Sequence, residues 1–344
     1  MMAPLPTNLT CAAETDGKPN VVILAAGGTI AGSAASDTAT TGYKAGALGI
    51  DVLIRAVPEI TNYANVRGEQ IASLDSKDMS DDVWLKLSRR VNELLARKDV
   101  DGIVITHGTD TLEETAYFLN LTVRSRKPVV ITGAMRPATA ISADGPMNLL
   151  NAVRLAAAPA AADRGVLVCL NDRIDSARNV TKTHTTSVDT FRSPLGPIGC
   201  MNDGRPAFYN TVERRHTGRA EFDVMNVTEL PYVKIIYGHA NDDALFVDAA
   251  ITAGAKGIVY AGTGNGSIHK DAEEALARAS KAGIVVVRST HVGSGAVIPA
   301  EPSYIDAGFL DGDSLNPQKC RVLLQLALLK TTDTRKIQQM FHEY

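Results

Sequence analysis

The stretch from Val21 to Gly32, V-V-I-L-A-A-G-G-T-I-A-G, constrains the fold of this chain more than any other. Its apolar run, Val21 to Ala25, reads as a strand buried on both faces, as in a parallel sheet covered by helices. Gly27 and Gly28 then turn the chain where a side chain would obstruct close backbone approach. Thr29 follows directly, at the strand end where open parallel sheets bind ligands. Its hydroxyl is a candidate nucleophile, or it only bonds nearby backbone. The run G-G-T-I-A-G is not the G-x-G-x-x-G of a dinucleotide loop, which weakens a nucleotide-binding reading.

The rest of the chain repeats this strand–turn–helix grammar. A helix is expected over 50–57, stopped by Pro58, and a strand over 70–74 that closes in Asp75-Ser76-Lys77-Asp78. Apolar residues at helical spacing predict a helix over 81–98, with Asp81 or Asp82 near its N-cap. A strand over 102–106 ends in H-G-T-D-T and leads to a helix over 112–123, whose first turn holds Glu113 and Glu114. Strands over 128–132 and 165–170 flank a helix over 148–158. From about Met201 to Asn226 no period holds, which predicts hairpins and then a linker. Strands over 233–237, 257–260 and 284–288 then alternate with helices over 243–253 and 271–282, before closing helices over 321–330 and 334–341. The pattern predicts two α/β domains. The larger, over 21–212, has a mainly parallel sheet with flavodoxin-like or Rossmann-like layering; a linker over 213–232 leads to a smaller parallel α/β domain over 233–344.

Composition narrows the function classes. The 344 residues are 45% hydrophobic and carry a formal net charge of -3 with both signs interspersed. No basic stripe follows a phosphate backbone, so nucleic acid is not an expected partner. No apolar run approaches the roughly 18 residues that would span a bilayer. Cys11, Cys169, Cys200 and Cys320 form no C-x-x-C pair, so neither a zinc site nor a disulfide framework is expected, and no metal or cofactor is implied. Residues 1–20 lack a continuous apolar core and read as a loose arm or the stub of a processed leader. The periplasm is expected if they are such a stub, and the cytoplasm otherwise.

The strand ends of the larger domain offer Thr29, Ser76, Thr109 with Asp110, and the Gly133-Ala134 backbone. Residues 33–46, small and polar apart from Tyr43, read as a lid over a pocket or an exposed linker. Two threonines, a carboxylate and a tyrosine make a hydrolytic set that needs no metal. His107 reads as packing beneath its loop, and Asp110 could simply cap the helix that follows. Lys182 reads as a solvated charge unless it reaches Thr109 and Asp110, where a partly desolvated amine could exchange a proton with a hydroxyl.

Six segments carry a resemblance to the bacterial type II L-asparaginases: A-G-G-T-I-A-G at 26–32, H-G-T-D-T-L-E-E-T-A at 107–116, G-A-M-R-P at 133–137, S-A-D-G-P-M-N-L at 142–149, V-T-K-T at 180–183 and S-L-N-P-Q-K at 314–319. The likeness runs from Pro19 to Tyr344, and T-T-G-Y-K-A-G-A-L-G at 40–49 favours the Erwinia-type branch. The resemblance implies hydrolysis of L-asparagine to aspartate and ammonia through a threonyl acyl-enzyme, with some L-glutamine hydrolysis. Its alternatives are a glutaminase-asparaginase without strong preference and a non-catalytic amino-acid-binding protein. It also implies a homotetramer built as a dimer of intimate dimers, with each site between the larger domain of one subunit and the smaller domain of its neighbour. Residue by residue, Thr29 matches the nucleophile, Tyr43 the lid tyrosine that activates it, and Thr109, Asp110 and Lys182 a second triad. The Thr109 and Ala134 N–H groups match the oxyanion hole, Ser76 the hydroxyl that binds the substrate carboxylate, and Ser267 and Glu301 the contribution of the neighbouring subunit. Lys77 stands where the family carries Gln or Glu. It repels the substrate ammonium, turns outward, or reaches the carboxylate. Ala26 replaces a common threonine, and Arg97 and Ser125 stand where some members carry a disulfide.

Overall fold

The computed structural model describes residues 17–32, 46 and 49–344. Tyr43, most of the expected lid and all but the end of the expected N-terminal arm lie outside the described residues. The larger domain opens with strand β1 (Asn20–Gly27), helix α1 (Ile50–Ala56) and strand β2 (Asn65–Leu74). Helix α2 (Asp81–Leu95), β3 (Gly102–Thr106), α3 (Leu112–Thr122), β4 (Val129–Thr132), α4 (Gly145–Ala157) and β5 (Val166–Leu170) continue the alternation. Five short strands follow: β6 (Arg173–Ser176), β7 (Thr181–Lys182), β8 (Phe191–Arg192), β9 (Gly199–Asn202) and β10 (Arg205–Phe208).

Strands β2, β1, β3, β4 and β5 lie side by side in that order and run parallel. This is the flavodoxin-like order, whose direction of winding reverses between β1 and β3. Strands β6, β9 and β10 extend the sheet antiparallel beyond β5. The β5–β6 hairpin turns on Asn171 and Asp172 at φ 49° and 61°, a left-handed pair that asparagine and aspartate tolerate. Strand β1 is buried on both faces. Val21, Ile23 and Ala25 pack with Leu149, Val153 and Ala156 of α4, while Val22 and Leu24 pack with Leu87, Val91 and Leu94 of α2. The α2 cap is Ser80, whose Oγ accepts from Val83 N–H at 3.4 Å, rather than the expected Asp81 or Asp82. Ser80 has the extended backbone a cap needs, whereas Asp81 and Asp82 sit inside the first turn, favoured there by the helix dipole.

The smaller domain comprises β11 (Val233–Tyr237), α5 (Leu245–Thr252), β12 (Gly257–Gly262), α6 (Lys270–Lys281), β13 (Val285–Thr290), α7 (Pro302–Asp306), β14 (Leu310–Asp311), α8 (Pro317–Lys330) and α9 (Thr334–Glu343). Its four strands are parallel and in chain order. One apolar cluster joins the domains: Trp84, Tyr117, Phe118 and Leu121 pack with Val233, Val259, Leu323, Leu324, Phe341 and Tyr344. Helix α3 is therefore buried on nearly every side, with the sheet on one face and α8 on the other. Among the described residues no helix is long and apolar enough to cross a membrane.

Candidate active site

The site forms where β1 and β3 end, at the reversal of the sheet. Gly27 and Gly28 adopt φ 102° and 85°, conformations open mainly to glycine. A Cβ on Gly28 would lie 2.2 Å from Gly108 N, and one on Gly108 would lie 2.5 Å from Ser76 Oγ. The absence of side chains at these two positions lets the ends of β1, β2 and β3 touch. Thr29, Ser76 and Thr109 are thereby buried, at 5%, 2% and 5% exposure. Ser76 Oγ accepts from Asp110 N–H at 3.2 Å, and Thr111 Oγ1 donates to Ser76 O at 2.7 Å. Gly46 N–H donates to Gly28 O at 3.0 Å, so the chain comes back to the Thr29 turn there.

His107 lies fully buried beneath this junction. Its Nδ1 is 2.7 Å from Gly108 O, a pure acceptor, so that nitrogen carries the proton. Nε2 is left to accept from Thr115 Oγ1 at 2.9 Å, and Thr115 in turn accepts from Trp84 Nε1–H at 2.8 Å. Burial pushes the imidazole down to about 4, so it is neutral and structural at physiological pH. The chain of three bonds anchors the Thr109 loop to α2 and α3.

Beside it, the G-A-M-R-P turn places the Ala134 backbone against the same loop. His107 N–H donates to Thr132 O at 2.9 Å, and a Cβ on Gly133 would lie 2.6 Å from His107 O. Asp144 holds the turn by accepting from the Met135 and Arg136 N–H groups, each at 2.9 Å, and Asn148 Nδ2 donates to Gly133 O at 3.0 Å. Both belong to S-A-D-G-P-M-N-L, a segment whose positioning role carries no periodicity signal.

Lys182, far along the chain on β7, reaches the Thr109 loop. Its Nζ donates to Thr109 Oγ1 at 3.0 Å and to Asp110 Oδ1 at 2.6 Å. The lysine side chain is 17% exposed and the Asp110 side chain 57%, so the pair sits at the rim of the site with its carboxylate toward solvent. Asp110 does not cap α3 through its side chain; it faces the lysine. Lys77 turns outward, 62% exposed, with Nζ 2.6 Å from Asp78 and 3.3 Å from Asp75. Those two carboxylates raise its pKa and hold it charged on the surface. Of the three alternatives for this residue, the outward one is adopted.

Ser267 and Glu301 lie elsewhere, at the strand ends of the smaller domain, and both are exposed. Ser267 N–H donates to Thr263 O at 2.7 Å, closing a tight loop, and Glu301 precedes α7. Sequence reasoning did not single out Glu113 as a site residue. It is 4% exposed and accepts from Thr181 Oγ1, Lys182 N–H and Asn316 Nδ2. Its place in a helix first turn is accounted for by the dipole alone, which gives no sign of these contacts.

The chain as a whole has clear relatives among known proteins. Residues 20–214 match the family described as Asparaginase, N-terminal, and residues 232–341 match the Glutaminase/Asparaginase C-terminal domain. L-asparaginase 2 of Bacillus subtilis is 57% identical over 97% of this chain and 88% of its own length. L-asparaginase 2 of Escherichia coli is 50% identical over 95% of this chain and 93% of its own. Among solved structures, a probable cytoplasmic L-asparaginase from Campylobacter jejuni superposes with a TM-score of 0.93 at 52% identity, over 95% of this chain and all of that one.

Proposed function

The chain belongs to the asparaginase/glutaminase family, and from that premise we propose that it hydrolyses L-asparagine to L-aspartate and ammonia, with secondary L-glutaminase activity. The observation that supports this most is the approach of Lys182 Nζ to both Thr109 Oγ1 and Asp110 Oδ1 across more than seventy residues of chain. Thr29 Oγ1 attacks the side-chain amide carbon, and the carbonyl oxygen becomes an oxyanion held by the Thr109 and Ala134 N–H groups. Each such donor is worth about 3 kcal/mol. The Thr29 hydroxyl proton passes to the amide nitrogen, the C–N bond breaks and ammonia leaves, giving an acyl ester on Thr29; water then attacks the same carbon, a proton returns to Thr29 Oγ1 and aspartate is released. Tyr43 and the Thr109–Lys182–Asp110 set divide the proton transfers between these two halves.

Ser76 Oγ binds the substrate α-carboxylate and Asp110 the α-ammonium, a charge-assisted contact that selects an amino acid over a plain amide. With Lys77 turned out to its own aspartates, the ammonium meets no competing cation from that residue. The larger domain ends near 212 and the smaller begins near 233. The exposure of Ser267 and Glu301 favours their serving the site of a neighbouring subunit in a homotetramer of two intimate dimers. The test is ammonia release from L-asparagine and L-glutamine by wild type, Thr29→Ala and Thr109→Val. The reading fails if both variants keep most of the activity. The ratio of the two kcat/KM values sets the substrate preference. Aspartate binding by calorimetry without turnover would mark a binding protein instead.

A further inference from the structure

Behind Lys182 lies a buried ion pair that the chemistry above does not use. Glu113, on the first turn of α3, and Lys319, on the first turn of α8, are 4% and 1% exposed, with Oε2 and Nζ 3.8 Å apart. They do not close on each other alone. Both grip the segment that carries Lys182, Glu113 at β7 itself and Lys319 just before it. Lys319 Nζ donates to Arg178 O at 3.0 Å and to Val180 O. Glu113 Oε1 accepts from Thr181 Oγ1 at 2.9 Å and from Lys182 N–H at 3.3 Å. Asn316 Nδ2 donates to Glu113 Oε2 at 2.7 Å, and its Oδ1 is committed to Lys319 N–H at 3.0 Å, so this amide cannot flip.

Glu113 follows Asp110 by three residues, across the start of α3. The carboxylate that holds the Lys182 backbone therefore sits on the first turn of α3, directly after the loop whose groups Lys182 Nζ must reach. A buried ion pair is weak evidence for stability, because desolvation offsets its attraction. Its bonds here are better explained by the position they impose on Lys182. We propose that Glu113, Lys319 and Asn316 form a positioning unit that places the Lys182 ammonium between Thr109 and Asp110, so that the first turn of a helix in the smaller domain sets proton-transfer geometry in the larger one of the same chain. The inference rests on the role given to Lys182 above.

The test is a double-mutant cycle read in kcat per acylatable site, counted by the burst of ammonia. Glu113→Gln keeps one acceptor oxygen but turns an amide donor toward the Asn316 and Lys319 donors. It is expected to lower kcat at least about tenfold with KM within about threefold, as misplaced catalytic groups do. Thr181→Val removes one bond to Glu113 without burying an unpaired charge, and should lower kcat severalfold in a fully folded protein. The double variant Glu113→Gln/Lys319→Met removes both charges together and covers the case in which the single variant does not fold. In a Lys182→Met background the same changes should cost little more, because the group they position is already gone. Unchanged kcat in the Glu113 and Thr181 variants, or equal losses with and without Lys182, would overturn the proposal. Wild-type kcat in Lys182→Met alone would instead overturn the reading of the site on which it rests.

Discussion

At the C-terminal ends of their strands, the two domains solve one problem in opposite ways. In the larger domain the loops collapse inward. Gly28 and Gly108 let three strand ends touch, and the hydroxyls of Thr29, Ser76 and Thr109 disappear from solvent. In the smaller domain the loops are held out. Arg288, 1% exposed, donates to Gly266 O and Asn265 O at 3.4 Å and to Ile298 O at 2.8 Å, pairs with Asp311, and lies 4.6 Å from the Tyr304 ring centre. A buried cation there collects carbonyls and leaves Ser267 and Glu301 facing outward. The same βαβ grammar thus yields a buried cluster of hydroxyls where glycine permits backbone contact, and a projection where a buried side chain fills the space.

The largest expected effect would break this contrast at its functional end. Thr29→Ala should lower kcat for L-asparagine by roughly 10⁶-fold, the scale seen when a nucleophile is removed, while thermal unfolding stays near wild type. Comparable activity in the variant would mean that the inward cluster of hydroxyls is not where the chemistry happens. Gly28→Ala comes next. It combines a Cβ 2.2 Å from Gly108 N with φ 85°, and should cost about 3 kcal/mol by denaturant unfolding together with most of the activity. Gly264→Ala in the smaller domain, at φ 48° with nothing within 4 Å of the new Cβ, should cost only about 1 kcal/mol. Equal costs would show that the two loop clusters are packed alike.

The seam between the domains makes a third test. Burial raises the Glu114 carboxyl to about 7, against the pull of Arg321. Below about pH 4.5 the folded and unfolded chains both hold this proton. As pH rises from 4.5 to 7 the unfolded chain releases it first, so stability falls, and above 7 the penalty is constant. Its size is about 2 kcal/mol, allowing for partial solvent contact. Glu114→Gln should therefore be more stable than wild type at pH 8 and equal to it at pH 4, as read by urea midpoints. Wild-type stability at both pH values would show that the seam tolerates the charge. Smaller again, Ser267→Ala and Glu301→Ala should raise KM for L-asparagine about tenfold with unchanged unfolding, the effect of losing a polar substrate contact. An unchanged KM would confine the site to the larger domain. Lys77→Ala should change KM by less than about twofold, because the side chain points to Asp75 and Asp78.

Much of this was legible in the residues. The apolar run at Val21–Ala25 and the two glycines after it mark β1 and its turn, because burial on both faces and positive φ leave compositional traces. The hairpin of β9 and β10 falls where hairpins are expected, but the short strands β6 to β8 did not show. Strand β6 follows Asn171-Asp172, a pair suited to a tight hairpin, yet Arg173–Ser176 has too few residues for a period to emerge. Strand β7 spans only Thr181–Lys182. His107 reads correctly as packing, since an imidazole flanked by Gly-Thr-Asp and a buried strand has little water to meet. The residues leave Lys77 open because an exposed lysine has several partners within reach, and its choice of Asp75 and Asp78 is a matter of local geometry.

By itself, the order of residues determined the alternating strands and helices, the placement of hydroxyls at strand ends and the family, for these depend on local pattern and spacing. Only the tertiary structure decided that Lys182 meets Thr109 and Asp110, that Glu113 and Lys319 from different domains grip one segment, and that Ser267 and Glu301 stay exposed in the smaller domain. Those outcomes depend on how sheets wind and domains dock. Contacts between distant residues arise from shape and desolvation, which no local stretch of sequence encodes.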